Sequence, residues 1–339
     1  MIQTANRRTA PIALLVMNPR FRSDVYCHEV RQSLDSLVHW AGPDQTVDSL
    51  QGRLTLLRDV ELLFTGWGAP VLDRTLLDAA PGLRAVFYGG GSIRHVVTPE
   101  FWDREITITS AYGMNAQPVA AYAVGAILLS LKCFWQHVRR EQPAASTSPP
   151  VRPAGTFRST VGLVSMSQTG RRVAQLLEPH ELTVLVFDPY LTHLEAADLG
   201  VSKVSLEDLF ARSDVVSLHA PLLPETANLI TGELVRGMKR GATLINTARG
   251  GLIREAELQA ALVDRLDLTA VLDVMVQEPP DTESPLFRLP NVVHTPHIAG
   301  SQGKECQRLG HCMVDELRRY LMGEPMQWTI DQEKLSILA

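Results

Sequence analysis

The sequence of 339 residues contains little cysteine, and its four cysteines show no paired spacing. Cys27, Cys133, Cys306 and Cys312 form no C-x-x-C motif of the redox or zinc-binding kind. A chain of this size also needs no disulfide bonds to hold its core together. We therefore expect four reduced thiols in a cytoplasmic protein, and we predict no metal site.

An excess of positive charge is also absent. The chain has 32 Lys and Arg against 37 Asp and Glu, which gives a formal net charge of -5. Its arginine pairs, for example at residues 171–172 and 318–319, are scattered along the sequence. Because binding to a polyanion needs a basic surface, we expect no nucleic-acid partner.

Long apolar runs are missing as well. The run at residues 118–131 is shorter than the roughly 20 residues that a membrane-spanning helix needs. The run at residues 12–17 ends at Asn18-Pro19-Arg20, too early for a signal peptide, and predicts a first buried strand instead. We expect no membrane role.

The sequence does contain an alternation of strand-like and helical segments. Between residues 160 and 246, runs such as TVGLV and LTVLVFD alternate with helical runs such as GRRVAQLLE. This pattern favours a parallel sheet covered on both faces. Since the length suits two cores, we predict an α/β protein of two doubly wound, Rossmann-like parallel-sheet domains. Further strand-like runs lie at residues 12–17, 60–66, 83–90, 106–110, 268–274 and 291–296.

Three further segments, outside the strand-like runs, predict two helices and a linker. In NAQPVAAYAVGAILLSLK, Asn115 is expected to cap a helix and Pro118 to lie in its first turn. The apolar surface of this helix has to be buried, between domains or against another subunit. Residues 141–155, rich in Pro, Ser and Ala, predict a linker or exposed loop. Residues 301–323 predict a closing helix, which Gly323 and Pro325 terminate.

One turn has the layout of a dinucleotide-binding site without all of its glycines. In VGLVSMSQTGRRV, Ser165 and Ser167 stand where a G-x-G-x-x-G fingerprint has its first two glycines, and only Gly170 remains. The amides of Gln168 and Thr169 at the helix start still suit phosphates. We predict that Ser165 needs no strongly positive φ, that the Ser167 hydroxyl donates to a phosphate oxygen, and that NAD binds.

A carboxylate follows this turn at a suitable distance. Asp188 ends the next strand-like run, roughly 20 residues on, where a carboxylate accepts hydrogen bonds from the ribose hydroxyls and repels a 2′-phosphate. NAD is therefore favoured over NADP as the cofactor. A plain strand-end cap is the alternative role for Asp188.

Three polar side chains each follow an apolar run in the second half. Arg249 lies in INTARGG, Glu278 in MVQEPP and His297 in VVHTPHIAG. All three are expected at the carboxyl edge of the sheet, where open α/β sheets bind their ligands. Taken singly, each is more simply explained as a surface, loop or turn residue.

Taken together, the segments resemble a known family. LHAPLLPETANLITGELVRGMKRGATLINTARGG, followed by LDVMVQEPP and VVHTPHIAGS, is similar to the D-isomer-specific 2-hydroxyacid dehydrogenases over residues 161–303, and more loosely over 83–131. The resemblance implies an NAD-binding domain, residues 114–299, inserted into a substrate-binding domain, residues 1–113 and 300–339. It also implies an active-site cleft between them and a homodimer, whose interface the apolar helix can supply.

The resemblance implies a role for each of the three polar side chains. His297 matches the general acid/base, which gives a proton to the keto oxygen of a 2-oxo acid or takes the hydroxyl proton in reverse. Glu278 matches the carboxylate that orients the imidazole and stabilises its protonated form. Arg249 matches the cation that binds the substrate carboxylate and polarises the carbonyl. A Gln at 278 would have pointed to formate dehydrogenase instead.

The resemblance also marks ligand-binding positions. In FYGGGSIRHV, the amides of Gly90, Gly91 and Ser92 match a loop that binds the substrate carboxylate, with a plain turn as the alternative. The matching cofactor positions are Ala220 and Pro221 on the adenosine side, Thr247 and Ala248 near the nicotinamide, Asp273 as acceptor for its carboxamide, and Gly300, which lets the chain pass His297.

Four residues depart from the family pattern or stay open. Ala121 stands where the family commonly has Glu, and Leu223 where it has Thr. Arg94 either adds a positive group for a larger or doubly anionic substrate or is simply solvated. Trp67 either narrows the substrate pocket or belongs to the core.

The leading hypothesis is an NAD-dependent 2-hydroxyacid dehydrogenase acting on a small 2-hydroxy or 2-oxo acid, since the Arg249, Glu278 and His297 set is complete. One alternative is a non-catalytic, NAD-responsive binding protein of the same fold. Another is a dehydrogenase of a different small anion such as phosphite. The sequence alone does not identify the acid.

Overall fold

The computed structural model describes residues 10–140, 152–281 and 283–338. Residues 141–151, most of the predicted linker, lie outside the described residues. The described chain divides into unit 1, residues 10–115 and 301–338, and unit 2, residues 116–300. Each unit is built on its own mainly parallel sheet, which confirms the prediction of two parallel-sheet α/β domains.

Strands and helices alternate along both units. The strands are β1 (Ile12–Val16), β2 (His39–Trp40), β3 (Leu62–Thr65), β4 (Ala85–Tyr88), β5 (Thr107–Ser110), β6 (Thr160–Val164), β7 (Thr183–Phe187), β8 (Ser202–Lys203), β9 (Val215–Leu218), β10 (Thr243–Asn246), β11 (Thr269–Leu272), β12 (Val292–His294) and β13 (Thr329–Ile330). The helices are α1 (Pro19–Val25), α2 (His28–Asp35), α3 (Val47–Gln51), α4 (Arg74–Ala79), α5 (Pro99–Trp102), α6 (Tyr112–Leu131), α7 (Phe134–Arg140), α8 (Gln168–Leu177), α9 (His193–Asp198), α10 (Leu206–Arg212), α11 (Gly232–Arg236), α12 (Glu255–Asp264), α13 (Cys306–Met322) and α14 (Gln332–Ile337). Short 3₁₀ segments cover Leu54–Leu57, Gly250–Leu252, Pro285–Arg288 and Gly303–Glu305.

The sheet of unit 1 is buried on both faces. Its strand order is β2-β1-β3-β4-β5-β13, and all neighbours are parallel except β13, which pairs antiparallel with β5. Along β1, Leu14 and Val16 pack into one core while Ala13 and Leu15 pack into the other. Because successive side chains of a strand point to opposite faces, a strand covered on both sides is a continuous apolar run.

The sheet of unit 2 is parallel throughout, with the strand order β12-β11-β10-β9-β6-β7-β8. The chain starts at β6, winds outward through β7 and β8, and returns to β9 on the other side of β6. The carboxyl ends of β6 and β9 therefore flank the point where the winding reverses. Doubly wound sheets bind their ligands at this point.

Helix α6 starts earlier than predicted. It begins at Tyr112, so Asn115 lies inside it and does not cap it, and Pro118 is not in its first turn. The N–H groups of Met114 and Asn115 both donate to the Ala111 carbonyl, which starts the helix upstream. The Asn115 side chain instead accepts the Ser301 N–H at 3.1 Å.

The earlier start also makes α6 longer than the apolar run seen in the sequence. With 20 residues and a mean hydropathy of 1.3, it is long and apolar enough to cross a membrane, and 44% of its apolar stretch is buried inside the structure. The expectation that this segment is too short is therefore wrong. Length and composition alone are weak evidence for a membrane span, since the core helix of a soluble protein passes the same test.

The chain continues beyond the predicted closing helix. Helix α13 ends at Met322 and is capped by Gly323, whose φ of 71° is left-handed. The chain then forms β13 and α14, which the sequence did not predict. The buried Glu316 carboxylate on α13 accepts the N–H of Gln327 at 3.1 Å, the N–H of Trp328 at 2.9 Å and the Thr109 hydroxyl at 3.0 Å. These bonds direct the returning chain to the edge of β5.

All four cysteines are free thiols, and three of them are buried. Burial raises the pKa of the Cys306 thiol to about 11 and that of the Cys312 thiol to about 12. Both thiols are therefore protonated and unreactive at neutral pH.

The packing of α13 on α1 gives a test of the fold. A Cβ added at Gly310 would lie 1.9 Å from the Val25 carbonyl oxygen, so Gly310→Ala forces the two segments apart. We expect a loss of about 1–3 kcal/mol of stability, seen as a lower midpoint of thermal unfolding by circular dichroism. Gly125→Ala in α6, where a Cβ meets nothing within 4 Å, is the control and should not destabilise. Equal midpoints for the two variants would contradict the close packing.

Candidate active site

The turn between β6 and α8 is held by a carboxylate from the neighbouring strand. Asp188, directly after β7, is buried, and its Oδ2 accepts the Met166 N–H at 2.7 Å and the Ser165 hydroxyl at 3.2 Å. Ser165 has a φ of 80°, so the prediction that this position avoids positive φ is wrong. The hydrogen bonds offset the roughly 1–2 kcal/mol that a left-handed residue with a side chain costs.

The start of α8 is arranged around Gly170 and Ser167. A Cβ at Gly170 would lie 2.1 Å from the Ser165 carbonyl oxygen, so only glycine fits there. The Ser167 hydroxyl accepts the Gly170 N–H at 3.4 Å and donates to the His219 carbonyl at 2.8 Å. Its hydrogen thus points at the protein, whereas the sequence predicts donation to a phosphate. The N–H groups of Gln168 and Thr169 have no partner in the described part of the chain and lie at the positive end of the helix.

A cavity of about 150 Å³ opens beside this turn. Asp188, Ala220 and Pro221 are among the residues that line it. Asp188 also accepts the Tyr190 N–H at 2.8 Å, which brings its hydrogen bonds to three. Because a carboxylate has about four acceptor positions, Asp188 can hold the turn and still accept a ribose hydroxyl.

Two buried polar side chains at this edge of the sheet have unused hydrogen-bonding atoms. Neither ring nitrogen of His219, after β9, has a partner among the described residues, and the same holds for the Thr247 hydroxyl, after β10. Burial lowers the pKa of His219 to about 3, so its ring is neutral. Unpaired buried polar atoms are costly and fit a polar ligand that is bound in function. With the cavity and the α8 amides, these residues fit a dinucleotide such as NAD.

Arg249 lies on a turn that Asn246 holds from both sides. The Asn246 side-chain nitrogen donates to the Arg249 carbonyl at 2.9 Å, and its side-chain oxygen accepts the Ala248 N–H at 3.0 Å. The Arg249 guanidinium donates to the Ala248 carbonyl at 2.6 Å. The end of β10 and this turn together place Thr247, Ala248 and Arg249 in succession at the carboxyl edge.

The loop that carries His297 is fixed by a second buried carboxylate. Asp273, after β11, accepts the N–H groups of Ile298 and Ala299, both at 2.9 Å, and the Thr295 hydroxyl at 2.6 Å. Its carbonyl accepts the His297 N–H at 2.9 Å. His297 has a left-handed φ of 54°, which these bonds stabilise. Gly300 follows directly.

Helix α6 contacts the same loop through Tyr122. The Tyr122 hydroxyl lies 2.9 Å from the Thr295 hydroxyl. Since the Thr295 hydrogen goes to Asp273, Tyr122 is the donor in this contact. Burial raises the pKa of Tyr122, which keeps that hydrogen in place.

The predicted pair of His297 and Glu278 lies in direct contact. His297 Nδ1 is 2.7 Å from Glu278 Oε2, and Glu278 Oε1 accepts the Met275 N–H at 3.3 Å. The imidazole side chain is 52% exposed. With Nδ1 turned to the carboxylate, Nε2 is the nitrogen available to a ligand.

The glycine-rich loop of unit 1 offers two of the three predicted amides. The Gly90 N–H donates to the Tyr88 carbonyl at 2.8 Å, so the expectation that it binds a carboxylate is not met in this structure. The N–H groups of Gly91 and Ser92 have no partner within the described ranges. The Ser110 hydroxyl approaches the carbonyls of Gly90 and Gly91 at 3.0 and 2.5 Å.

Arg94 and Trp67, which the sequence left open, both make contacts within unit 1. The Arg94 guanidinium donates to the carbonyls of Leu335 and Leu338 at the end of α14. Trp67 is half-buried, packs against the core and meets Phe21 edge-on with ring centroids 5.2 Å apart. Both residues therefore have structural contacts of their own.

Three residues that shape these loops, two in unit 2 and one in unit 1, were not selected from the sequence. Asn246 stood within the Asn-x-x-Arg-Gly pattern, and a polar residue closing an apolar strand was its signal. His219 stood before Ala220 and Pro221 with the same signal, whereas Ser110 had none. No cluster of three His, Cys, Asp or Glu side chains suited to a metal occurs in residues 10–140, 152–281 or 283–338.

The chain is similar to known proteins in both sequence and fold. The model of the NAD-binding domain of D-isomer-specific 2-hydroxyacid dehydrogenases matches residues 126–299. The chain is 34% identical to D-3-phosphoglycerate dehydrogenase of Mycobacterium bovis over 296 residues, which cover 85% of this chain and 53% of that relative. It thus spans about half the length of that relative.

Two further comparisons cover most of both chains. The (S)-sulfolactate dehydrogenase of Chromohalobacter salexigens is 33% identical over 277 residues, 79% of this chain and 90% of that one. The NAD-complexed structure of a D-isomer-specific 2-hydroxyacid dehydrogenase from Lactobacillus delbrueckii ssp. bulgaricus has a TM-score of 0.76 at 19% identity. It covers 94% of this chain and 100% of that one, and supports the fold.

The left-handed serine turn predicts different effects at two neighbouring positions. Ser165→Gly removes the cost of the positive φ but also the hydrogen bond to Asp188, so the stability should change by less than about 1 kcal/mol while NADH still binds. Gly170→Ala displaces the Ser165 carbonyl and should weaken NADH binding about tenfold or more. Isothermal titration calorimetry with NADH measures both, and Gly125→Ala is the control. An unchanged dissociation constant for Gly170→Ala would contradict the turn geometry.

The buried His219 predicts a pH dependence of stability. Its pKa of about 3 in the folded state lies below the ordinary value of 6.5, so the unfolded chain takes up a proton that the folded chain does not. Stability should therefore fall as the pH drops below 6.5, by at most about 1.4 kcal/mol per pH unit from this group. His219→Gln should flatten the urea unfolding profile between pH 6.5 and 5, whereas the exposed His193→Gln should not. Parallel profiles for all three proteins would refute this assignment.

Proposed function

The chain belongs to the D-isomer-specific 2-hydroxyacid dehydrogenase family, and from that premise we propose that it transfers a hydride between NAD and a small 2-hydroxy or 2-oxo acid. The observation that supports this best is the 2.7 Å contact between His297 and Glu278 on a loop fixed by Asp273. Bound NAD supplies or accepts the hydride.

His297 is proposed as the acid/base. Because Nδ1 faces Glu278, Nε2 gives a proton to the keto oxygen of the 2-oxo acid, and takes the hydroxyl proton in the reverse direction. Glu278 holds the ring in this orientation and is itself held by the Met275 N–H. The half-exposed ring leaves room for the substrate.

Arg249 is proposed to bind the substrate carboxylate and to polarise the carbonyl, a task that suits a fixed set of N–H donors. In unit 1, the amides of Gly91 and Ser92, which have no partner among the described residues, are proposed as further donors to the carboxylate. Gly90 contributes through the conformation of the loop, because its own N–H is already used.

The cofactor assignment rests on unpaired groups in unit 2. We propose that the pyrophosphate lies on the amides of Gln168 and Thr169, and that Asp188 accepts from the adenosine ribose. Thr247 offers its unpaired hydroxyl near the nicotinamide. The remaining proposed cofactor contacts are Ala220, Pro221, Ala248, Asp273 and Gly300, whereas the Ser167 hydroxyl is already used within the protein.

The domain roles and the assembly are proposals of the same kind. Residues 114–299 are proposed to bind NAD, and residues 1–113 with 300–339 to bind the substrate. A homodimer is supported by apolar side chains that stay exposed on α6 and α7, namely Leu129, Phe134 and Val138. The four free thiols support a reducing, cytoplasmic location.

The proposal predicts that the protein oxidises NADH when it is supplied with a panel of 2-oxo acids. The reaction is measured as the loss of NADH absorbance. His297→Ala should lower kcat by a factor of about 10²–10⁴, whereas Arg249→Ala should raise KM and also lower kcat. His193→Ala, an exposed histidine of the same unit, is the control and should leave both constants unchanged.

Two other results would replace this proposal. NADH binding without turnover of any acid would indicate an NAD-responsive binding protein. NAD reduction by phosphite, with no acid turned over, would indicate the dehydrogenase of another anion. A fully active His297→Ala enzyme would refute the acid/base role.

A further inference from the structure

We propose that Arg94 and the segment Trp328–Leu338 are positioning elements for the substrate loop, residues 89–94: they fix the amides of Gly91 and Ser92 without touching the substrate. This inference rests on the proposed function, since it assigns a role to the loop that is proposed to bind the carboxylate. It concerns contacts within unit 1 alone.

The first restraint acts at the end of the loop. Arg94 Nε and Nη2 donate to the Leu338 carbonyl at 3.1 and 2.7 Å, and Nη2 also donates to the Leu335 carbonyl. These carbonyls belong to the last turn of α14 and the residue after it, where a helix carries unpaired acceptors and partial negative charge. The Arg94 guanidinium pairs with these carbonyls and brings a positive charge to them, although the residues lie 241–244 positions apart in the sequence.

The second restraint acts at the start of the loop. The Ser110 hydroxyl lies within hydrogen-bond distance of the Gly90 and Gly91 carbonyls. The backbone N–H of the same serine donates to the Trp328 carbonyl at 3.2 Å, and β13 pairs with β5 from there on. Trp328 therefore fixes the position of Ser110, and the Ser110 hydroxyl contacts the carbonyls of Gly90 and Gly91.

Apolar packing joins the two restraints. Ile93 and Val96 flank Arg94 and are fully buried in the core on one face of the unit 1 sheet. Leu335 and Leu338 of the segment Trp328–Leu338 pack against the same core, and Ile330 of β13 lies within that core. The loop is thus bound to the returning segment on both sides of its unpaired amides.

The same contacts argue against the other role considered for Arg94, that of a second cation for a doubly anionic substrate. Two of its three guanidinium nitrogens donate to backbone carbonyls of α14 and its end. Arg94 is exposed, so it is these hydrogen bonds that hold its side chain against α14. A direct substrate contact through Nε or Nη2 would compete with these bonds.

The test compares Arg94→Ala, Arg94→Lys and a chain shortened after Asp331, which removes α14. Arg104→Ala is the control, because Arg104 is a unit 1 arginine paired with Asp78 on the surface. KM for mono- and dianionic 2-oxo acids, the dissociation constants of oxamate and NADH, and kcat are measured for each. Should the shortened chain fail to fold, Leu335→Ala replaces it, because it removes the side chain that packs α14 on the unit 1 core while keeping the carbonyl that Arg94 binds.

We expect Arg94→Ala and the shortened chain each to raise KM and the oxamate dissociation constant about tenfold for all acids alike. NADH affinity should stay unchanged and kcat should change far less than KM. Arg94→Ala should add nothing to the loss seen in the shortened chain, because the shortened chain already lacks the carbonyls that Arg94 binds. Arg94→Lys should recover part of the loss. An effect of Arg94→Ala on dianionic acids only, with the shortened chain normal, would overturn the proposal in favour of direct contact.

Hydrogen exchange tests the positioning even if no acid is turned over. The amides of Gly90, Val96 and Val97 are hydrogen-bonded within the loop region. Their exchange should become faster in Arg94→Ala and in the shortened chain, and should stay unchanged in Arg104→Ala. Faster exchange without any wild-type turnover would refute the proposed function but support the positioning. Unchanged exchange in Arg94→Ala would overturn the positioning itself.

Discussion

The candidate active site depends on one buried carboxylate, that of Asp273. It accepts three hydrogen bonds from the loop of residues 295–299, and its own carbonyl accepts the His297 N–H. A left-handed histidine is unfavourable in isolation, and these bonds hold it in that conformation. The orientation of the imidazole toward Glu278 follows from this backbone, so the side-chain pair is a consequence of the loop rather than its cause.

Asp188 likewise fixes a backbone turn through its buried carboxylate. It holds the turn before α8 and stabilises a positive φ at Ser165, a position that glycine fills in the common fingerprint. The serine adds a hydrogen bond that glycine cannot make, while Gly170 remains indispensable because the Ser165 carbonyl occupies the place of a Cβ. What the turn requires is thus a backbone conformation, and a hydrogen-bonded serine supplies it.

The parts that sequence reasoning predicted share a physical origin. Strands buried on both faces are continuous apolar runs, so the two parallel sheets were readable. Their position after strands drew attention to Arg249, Glu278 and His297, but their roles came from the family resemblance and stay predictions. The parts it missed depend on single hydrogen bonds that no apolar pattern marks. The φ of Ser165 is set by Asp188, the start of α6 by Ala111, and β13 by the buried Glu316. The Gly90 N–H was lost to a local bond with Tyr88, which no pattern reveals.

The contact between Tyr122 and Thr295 has a directional consequence. The Tyr122 hydrogen points to Thr295, the Thr295 hydrogen points to Asp273, and none of the three groups can reverse its role while the carboxylate is ionised. Hydrogen bonds aligned in series polarise one another, so each strengthens the next. Helix α6 therefore contacts the loop of His297 through two hydroxyl groups whose hydrogen bonds run in a single direction, from Tyr122 through Thr295 to Asp273.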